Sequence, residues 1–305
     1  MNILDGRFRH VLVTCLLLAA GSAGAQDADR FKDTKIEAVP VSPGIWMLKG
    51  EGGNIGVSAG EDGVFLIDDQ FAPLTERIKA AIAKLSDKPI RFVINTHWHG
   101  DHTGGNENLG KEGVVIVAHD NVYKRMSQEN FSQVFNRTTP AAPKAALPVI
   151  SFNDTVTFHL NGQDIHAVHA EHAHTDGDSF LHFRQANVIH TGDLWFNGLY
   201  PFIDSESGGS VAGAIAAVEA ILEVADAGTK IIPGHGPIGD KKALTAYLAF
   251  LRDVSGRVQK LMDEGKSLEE IQALKPLADY DATLGTGFFK PDTFLGILYN
   301  GLKKK

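Results

Sequence analysis

Short apolar runs broken by glycine turns dominate the first half of the chain. Ile45–Leu48, Asn54–Val57 and Val64–Ile67 read as strands. Ile78, Ile82 and Leu85 then recur at helical spacing. Arg91–Asn95 reads as a buried strand that runs straight into a histidine-rich stretch, and Val114–Val117 as another strand. The second half repeats this order. Residues 155–160, 164–170, 179–184 and 187–190 read as strands. Ser210 is placed to cap a helix with Val211, Ile215, Val218 and Leu222 on one face. A short strand, Lys230–Ile232, follows. Asp240 then caps a long helix with Leu244, Leu248, Leu251, Val254, Val258 and Leu261 inward, stopped by Gly265. Ser267 and Glu270 have the spacing of a capping box. Residues 128–148 are polar, carry three prolines and read as a long surface segment, either a lid over a site or a tolerated insertion. Strand runs followed by helices, twice over, predict an α/β domain with two sheets face to face and helices outside.

The N-terminus breaks this pattern. Arg7 and Arg9 precede an apolar run, Val11 to Ala20, and then Ala23-Gly24-Ala25. That is the order of a secretory leader. The run is too short to cross roughly 30 Å of hydrocarbon. Residues 1–25 are therefore expected to be a signal peptide, and 26–305 a single exported domain, periplasmic or secreted and free of the membrane once the leader is gone. The one cysteine, Cys15, leaves with the leader, so no disulfide forms. The full chain carries a net charge of −8, and removing a leader of net +1 makes it −9. An acidic chain without a basic stripe argues against a nucleic-acid partner and for a small-molecule substrate.

Candidate chemistry concentrates in His97-Trp98-His99-Gly100-Asp101-His102. Three imidazoles and a carboxylate in six positions suit one cation or two. His97 and His99 lie two apart at a strand end, so they point the same way. Three more polar loops follow apolar strands: His172 to Asp178, His190-Thr191-Gly192-Asp193, and Pro233-Gly234-His235-Gly236-Pro237. Each is placed to meet the first along one edge of the sheets.

This ordered set, H-x-H-x-D-H, then H-T, G-D and G-H-G, resembles the metallo-β-lactamase superfamily across nearly all of residues 26–305. The resemblance implies a four-layer αβ/βα sandwich with a metal site at one edge. It implies one zinc on His97, His99 and His174, a second on Asp101, His102 and His235, and Asp193 between them. His174 is chosen over His169 and His172 because its His-Thr pair precedes the Asp-Gly turn, as in the family. Zn2+, two per chain, is the expected cofactor. Iron and manganese stay open, because a bridging carboxylate also suits harder cations, but the di-iron relatives carry Glu where His99 stands. The family also implies a zinc-dependent hydrolase in which metal-ionised water attacks a carbonyl and Asp101 handles the proton. True β-lactamases of the best-known subclass place Cys where this chain has Asp193. Asp193 is similar instead to glyoxalase II and lactonases, yet the basic thioester-binding cluster of glyoxalase II is not found.

β-Lactam or related cyclic amide rings rank first as substrate, as a main or side activity. Lactones or esters come second and thioesters third. A different class of role is an exported metal-binding accessory of a quinoprotein or sulfur oxidation system. Trp46, Phe71 and Asn197 are candidate substrate contacts. His172 is a candidate to orient the metal ligands, and Asp68 and Asp69, which end a buried strand beside the site, are equally placed to orient a metal-bound histidine or to cap the turn. The short turn Gly50–Asn54 predicts an open pocket.

Overall fold

Alternating side chains turn the first half of the chain into a sheet with two buried faces. In the computed structural model, which describes residues 30–303, β1 (Glu37–Ser42), β2 (Ile45–Lys49), β3 (Ile55–Gly60) and β4 (Gly63–Ile67) form an antiparallel meander. Helix α1 (Thr75–Ile82) returns the chain so that β5 (Ile90–Asn95) runs parallel to β4. Helices α2 (Gly100–Thr103) and α3 (Asn106–Lys111) lead to β6 (Val115–His119), parallel to β5. Helix α4 (Asp120–Met126) follows, capped by the His119 ring. The surface segment 128–148 holds a small hairpin, β7 (Asn130–Ser132) with β8 (Arg137–Thr139), and β9 (Ile150–Phe152) closes the seven-stranded sheet.

The second sheet has six strands in sequence order: β10 (Thr155–Leu160), β11 (Gln163–Ala170), β12 (Asp178–Phe183), β13 (Val188–His190), β14 (Lys230–Ile232) and β15 (Gly239–Asp240). Between β13 and β14, which are parallel, stands α5 (Val211–Val224), capped by Ser210. Helix α6 (Lys241–Asp263) is capped by Asp240, and Gly265 follows it at φ +81°. The Ser267–Glu270 capping box opens α7 (Leu268–Leu274). Helices α8 (Ala278–Leu284) and α9 (Pro291–Lys303) complete the chain.

Phe65, Ile67, Ile94 and Val117 of the first sheet share one core with Ile165, Leu181, Phe183 and Ile232 of the second. The sheets therefore pack face to face. The opposite face of the second sheet, with Phe180, Ile189 and Ile231, packs on Val218, Leu244, Leu251 and Phe294 from the helices. On the first sheet the alternate residues Leu66, Val93 and Ile116 are buried on the side where Ile78, Ile82 and Leu109 are also buried. The result is the four-layer αβ/βα sandwich expected from the sequence. These elements form one unit from Thr34 onward, and residues 30–33 fall in a separate short one. The expected leader at 1–25 lies outside the described residues. Among the described residues no helix is long and apolar enough to cross a membrane.

Candidate metal centre

Strands β5, β11, β13 and β14 each run into one of the four polar loops, and these loops meet at one edge of the sheets. Beyond β5, His97 and Thr96 are fully buried, and the chain turns into α2 with Asp101 and His102 in its first turn. The loops touch through glycines. A Cβ at Gly234 would lie 2.1 Å from Asp193 Oδ1, so only glycine lets the third loop approach the second.

All seven residues named as ligands converge. His97 Nε2 lies 3.1 Å from His99 Nδ1, and His174 Nε2 lies 2.9 Å from that same atom. Across the cluster, His102 Nε2 is 3.4 Å from His235 Nε2 and 3.6 Å from Asp101 Oδ2. Asp193 sits between. Its Oδ2 is 3.6 and 3.8 Å from His174 and His97, and its Oδ1 is 3.1 and 3.4 Å from His102 and His235. Donor atoms of His97, His99 and His174 fall within 4.8 Å of one another, and so do those of Asp101, His102 and His235.

The outward nitrogens test whether this suits a cation. His174 Nδ1 lies 2.7 Å from the Phe202 carbonyl, His99 Nε2 2.9 Å from Asp204, and His102 Nδ1 2.7 Å from Asp68. Each partner accepts, so each outward nitrogen carries a proton, and in the neutral ring the inward one presents a lone pair. Lone pairs facing one another and a carboxylate repel unless positive charge lies between them. Asp193 Oδ1 is buried with no hydrogen-bond partner. The donor set is therefore matched to cations, and neutral imidazoles with carboxylates in open sets suit zinc.

The protonation equilibria carry the same demand for charge. Burial holds His97 well below the ordinary histidine range and His174 down at about 4. Burial also opposes charge on His102 and His235, but Asp193 and Asp101 outweigh it, raising His102 well up and His235 to about 9. Burial likewise opposes charge on Asp193 and Asp101, yet neighbouring histidines hold both below the usual carboxylate range. Without a cation these imidazoles keep protons, and a metal must displace them. Zinc affinity is therefore expected to rise from pH 6 to 9 with measurable proton release. Chelator competition across that range checks this, and a flat profile would contradict it.

The structure corrects the orienting residues. Asp69 does not hold a ligand side chain; its Oδ1 accepts the Gly105 amide at 2.9 Å, capping a turn. Asp68 takes that role, fully buried and also bonded to the Thr96 amide and hydroxyl at 2.7 and 2.8 Å. His172 is exposed, sits at φ +50° and meets the Gly208 carbonyl instead. Asp204 and the Phe202 carbonyl were not foreseen. Asp204 lies 105 residues from His99, and its other oxygen accepts the Glu206 and Ser207 amides of the turn Ser205–Ser207.

The three proposed substrate contacts divide. Phe71 stands at the rim, where Gly52 packs between it and Asp101. Asn197 is committed to the Pro237 carbonyl at 2.8 Å and braces the His235 loop. Trp46 pairs with Val57 in mid-strand, four residues from Gly50 and so roughly 13 Å of strand away from the metal edge. The turn Gly50–Asn54 is also less free than its glycines suggest: Gly53 donates to the Asp101 carbonyl and Asn54 to that of Gly234. Asp68 yields a direct test. Asp68→Asn keeps the shape and one acceptor oxygen, replaces the other with a donor, and tolerates the φ of +64° there. It is expected to fold and to lose about 10–100-fold in zinc affinity. Unaltered affinity by chelator competition would refute the assignment.

Residues 48–239 match the metallo-beta-lactamase superfamily, and the chain belongs to that family. A probable hydroxyacylglutathione hydrolase of Schizosaccharomyces pombe is 29% identical over 156 residues, 50% of this chain and 51% of its own. An atrochrysone carboxyl ACP thioesterase of Aspergillus terreus is 24% identical over 168 residues, 55% and 45% of the two chains. The chain thus spans about half the length of the curated relatives it matches. Among solved structures, a metallo-beta-lactamase from Pontibacter korlensis superposes with a TM-score of 0.60 at 20% identity, over 72% of this chain and 99% of that one. The metallo-beta-lactamase FIM-1 of Pseudomonas aeruginosa, in a mono-zinc form, gives 0.58 at 19%, over 73% and 97%. These establish the fold.

Proposed function

We propose that this chain is a hydrolase that uses two zinc ions to open β-lactam or related cyclic amide rings. The observation that carries the reading is the convergence of His97, His174, His102 and His235 on the Asp193 carboxylate at 3.1–3.8 Å, with His174, His99 and His102 each held by an outward acceptor. His97, His99 and His174 would hold one ion, Asp101, His102 and His235 the other, with Asp193 shared. Two such ions supply Lewis acidity, polarising a carbonyl and lowering the pKa of water. Asp101 is the ligand carboxylate with more solvent access, at 29% side-chain exposure against 5% for Asp193. His102 and His235 outweigh burial and keep it ionised. It orients the attacking water and passes the proton to the leaving nitrogen. One C–N bond breaks, the carbonyl carbon gains the hydroxyl, and the nitrogen gains the proton. The buried surround of His97 and His174 excludes bulk water from the other side.

A second reading is favoured by two of the curated relatives, whose names describe a hydroxyacylglutathione hydrolase and an ACP thioesterase: the scissile bond is then a thioester, with lactones and esters close to it. Metal analysis with nitrocefin, a γ-lactone and a thioester decides. Two equivalents of zinc and β-lactam turnover above the free-zinc background support the first reading. Turnover confined to the thioester or lactone moves it to the second. Full metal with no turnover on any class overturns both and favours the accessory role. We also propose export through the leader at 1–25, checked by an exported form that begins at Gln26.

A further inference from the structure

An aromatic wall stands beside the three-histidine side of the cluster. Phe202 stacks near His99, with ring centroids 5.7 Å apart. Phe289 stacks on Phe202 at 5.3 Å, and Phe135 meets Phe202 edge-on at 5.4 Å. Phe288 continues outward at 4.9 Å from Phe289 and 6.2 Å from Phe135. Phe202 and Phe289 are buried, but Phe135 is 45% exposed and Phe288 78%. Burial explains the inner pair. It does not explain two large apolar rings kept in water at the mouth of a polar site.

Three separate segments build this wall. Phe135 lies in the β7–β8 turn, Phe202 follows the Asp193 loop, and Phe288 and Phe289 lie between α8 and α9. The last two fall beyond residues 48–239, the part that matches the family. The hairpin is fastened to the site: the Gln133 amide donates to Glu206 at 2.8 Å, and Asp204, which holds His99, accepts from the Glu206 amide. Gly287 packs against Leu199, which joins the C-terminal segment to the loop carrying Phe202.

We propose that Phe135, Phe202, Phe288 and Phe289 form a subsite for an apolar acyl or aryl group, so that the substrate carries such a group beside His97, His99 and His174. This rests on the hydrolase reading, and deepens it to apolar acyl compounds. The wall runs unbroken from solvent to a ligand ring, which commits it to the substrate rather than to a second copy or a lipid surface.

The test compares octanoate with acetate by titration calorimetry, on the zinc-loaded chain and on the doubly substituted Phe135→Ala/Phe288→Ala form. Two exposed positions are changed, so folding is retained, and circular dichroism with zinc content verifies this. Octanoate should bind wild type at least about tenfold more tightly than acetate, given about 0.8 kcal/mol per buried methylene. The double variant should lose most of that ratio. The same ratio should appear in kcat/KM for p-nitrophenyl octanoate against acetate. Equal affinity for the two acids, or a ratio unmoved by the substitutions, overturns the proposal. So does a dimer or vesicle adsorption in wild type that the substitutions abolish. Zinc-dependent acetate ester turnover without the octanoate preference would retain the hydrolase and discard the subsite. A Phe-dependent octanoate preference without turnover would do the reverse.

Discussion

Asp193→Asn will lower zinc-dependent hydrolysis by about a thousandfold, equivalent to about 4 kcal/mol of barrier, while the chain still folds. The reason is its position. Each carboxylate oxygen faces a different pair of histidines, at 3.1–3.4 Å on one side and 3.6–3.8 Å on the other. An amide keeps the shape but replaces one oxygen with an NH2 that has no free lone pair to offer a cation and instead donates to a neighbouring imidazole nitrogen, and it removes the negative charge that draws cations. Asparagine also leaves the surrounding core intact, since nothing apolar changes. Activity, zinc content and circular dichroism on one preparation check the claim. Activity within tenfold of wild type at full metal would show that Asp193 is not shared between the two sets.

Gly53→Ala is the second substitution with a large expected effect, and it changes no ligand. A Cβ at residue 53 would sit 2.1 Å from Cε1 and 2.4 Å from Nε2 of His102. His102 has nowhere to go. It is fully buried, with Asp68 on one nitrogen and Asp193 facing the other. The β2–β3 turn must lift instead, breaking the Gly53 amide bond to Asp101 and the Gln70 bond to the Gly53 carbonyl. Overpacking of this kind costs about 1–3 kcal/mol, so the melting temperature should fall and zinc affinity should drop at least about tenfold. Gly100→Ala is the internal contrast, because a Cβ there meets nothing within 4 Å. Equal melting and zinc affinity for Gly53→Ala and Gly100→Ala would refute the argument.

Local signals were the legible ones. The caps Ser210, Asp240 and Ser267 act within three residues, and each helix starts where its cap stands. The histidine run is local too, but the set of seven came from the resemblance to the family, and the four loops bring those seven side chains together. The residues that orient them were legible only in part. Asp68 could be read as one of two neighbouring carboxylates beside the site, without its partner, and Asp204 not at all, since they reach His102 and His99 across 34 and 105 residues and no spacing rule encodes such a contact. Strand β1 escaped because Pro40 interrupts it, which an edge strand tolerates. Helix α8 lacks both a side-chain cap and a buried residue, so it leaves no stripe to read. Segment 128–148 looked unstructured because its hairpin is only three residues a side and faces solvent.

His97, His99, Asp101 and His102 descend from the first sheet, while His174, Asp193 and His235 descend from the second. A cation gripped by both groups is a rivet through the open end of the sandwich. The one thiol lies at Cys15, so residues 26–305 have no covalent staple of their own. The chemistry that activates substrate would thereby also lock the two halves in register, and losing the ion would loosen the architecture and the active edge together.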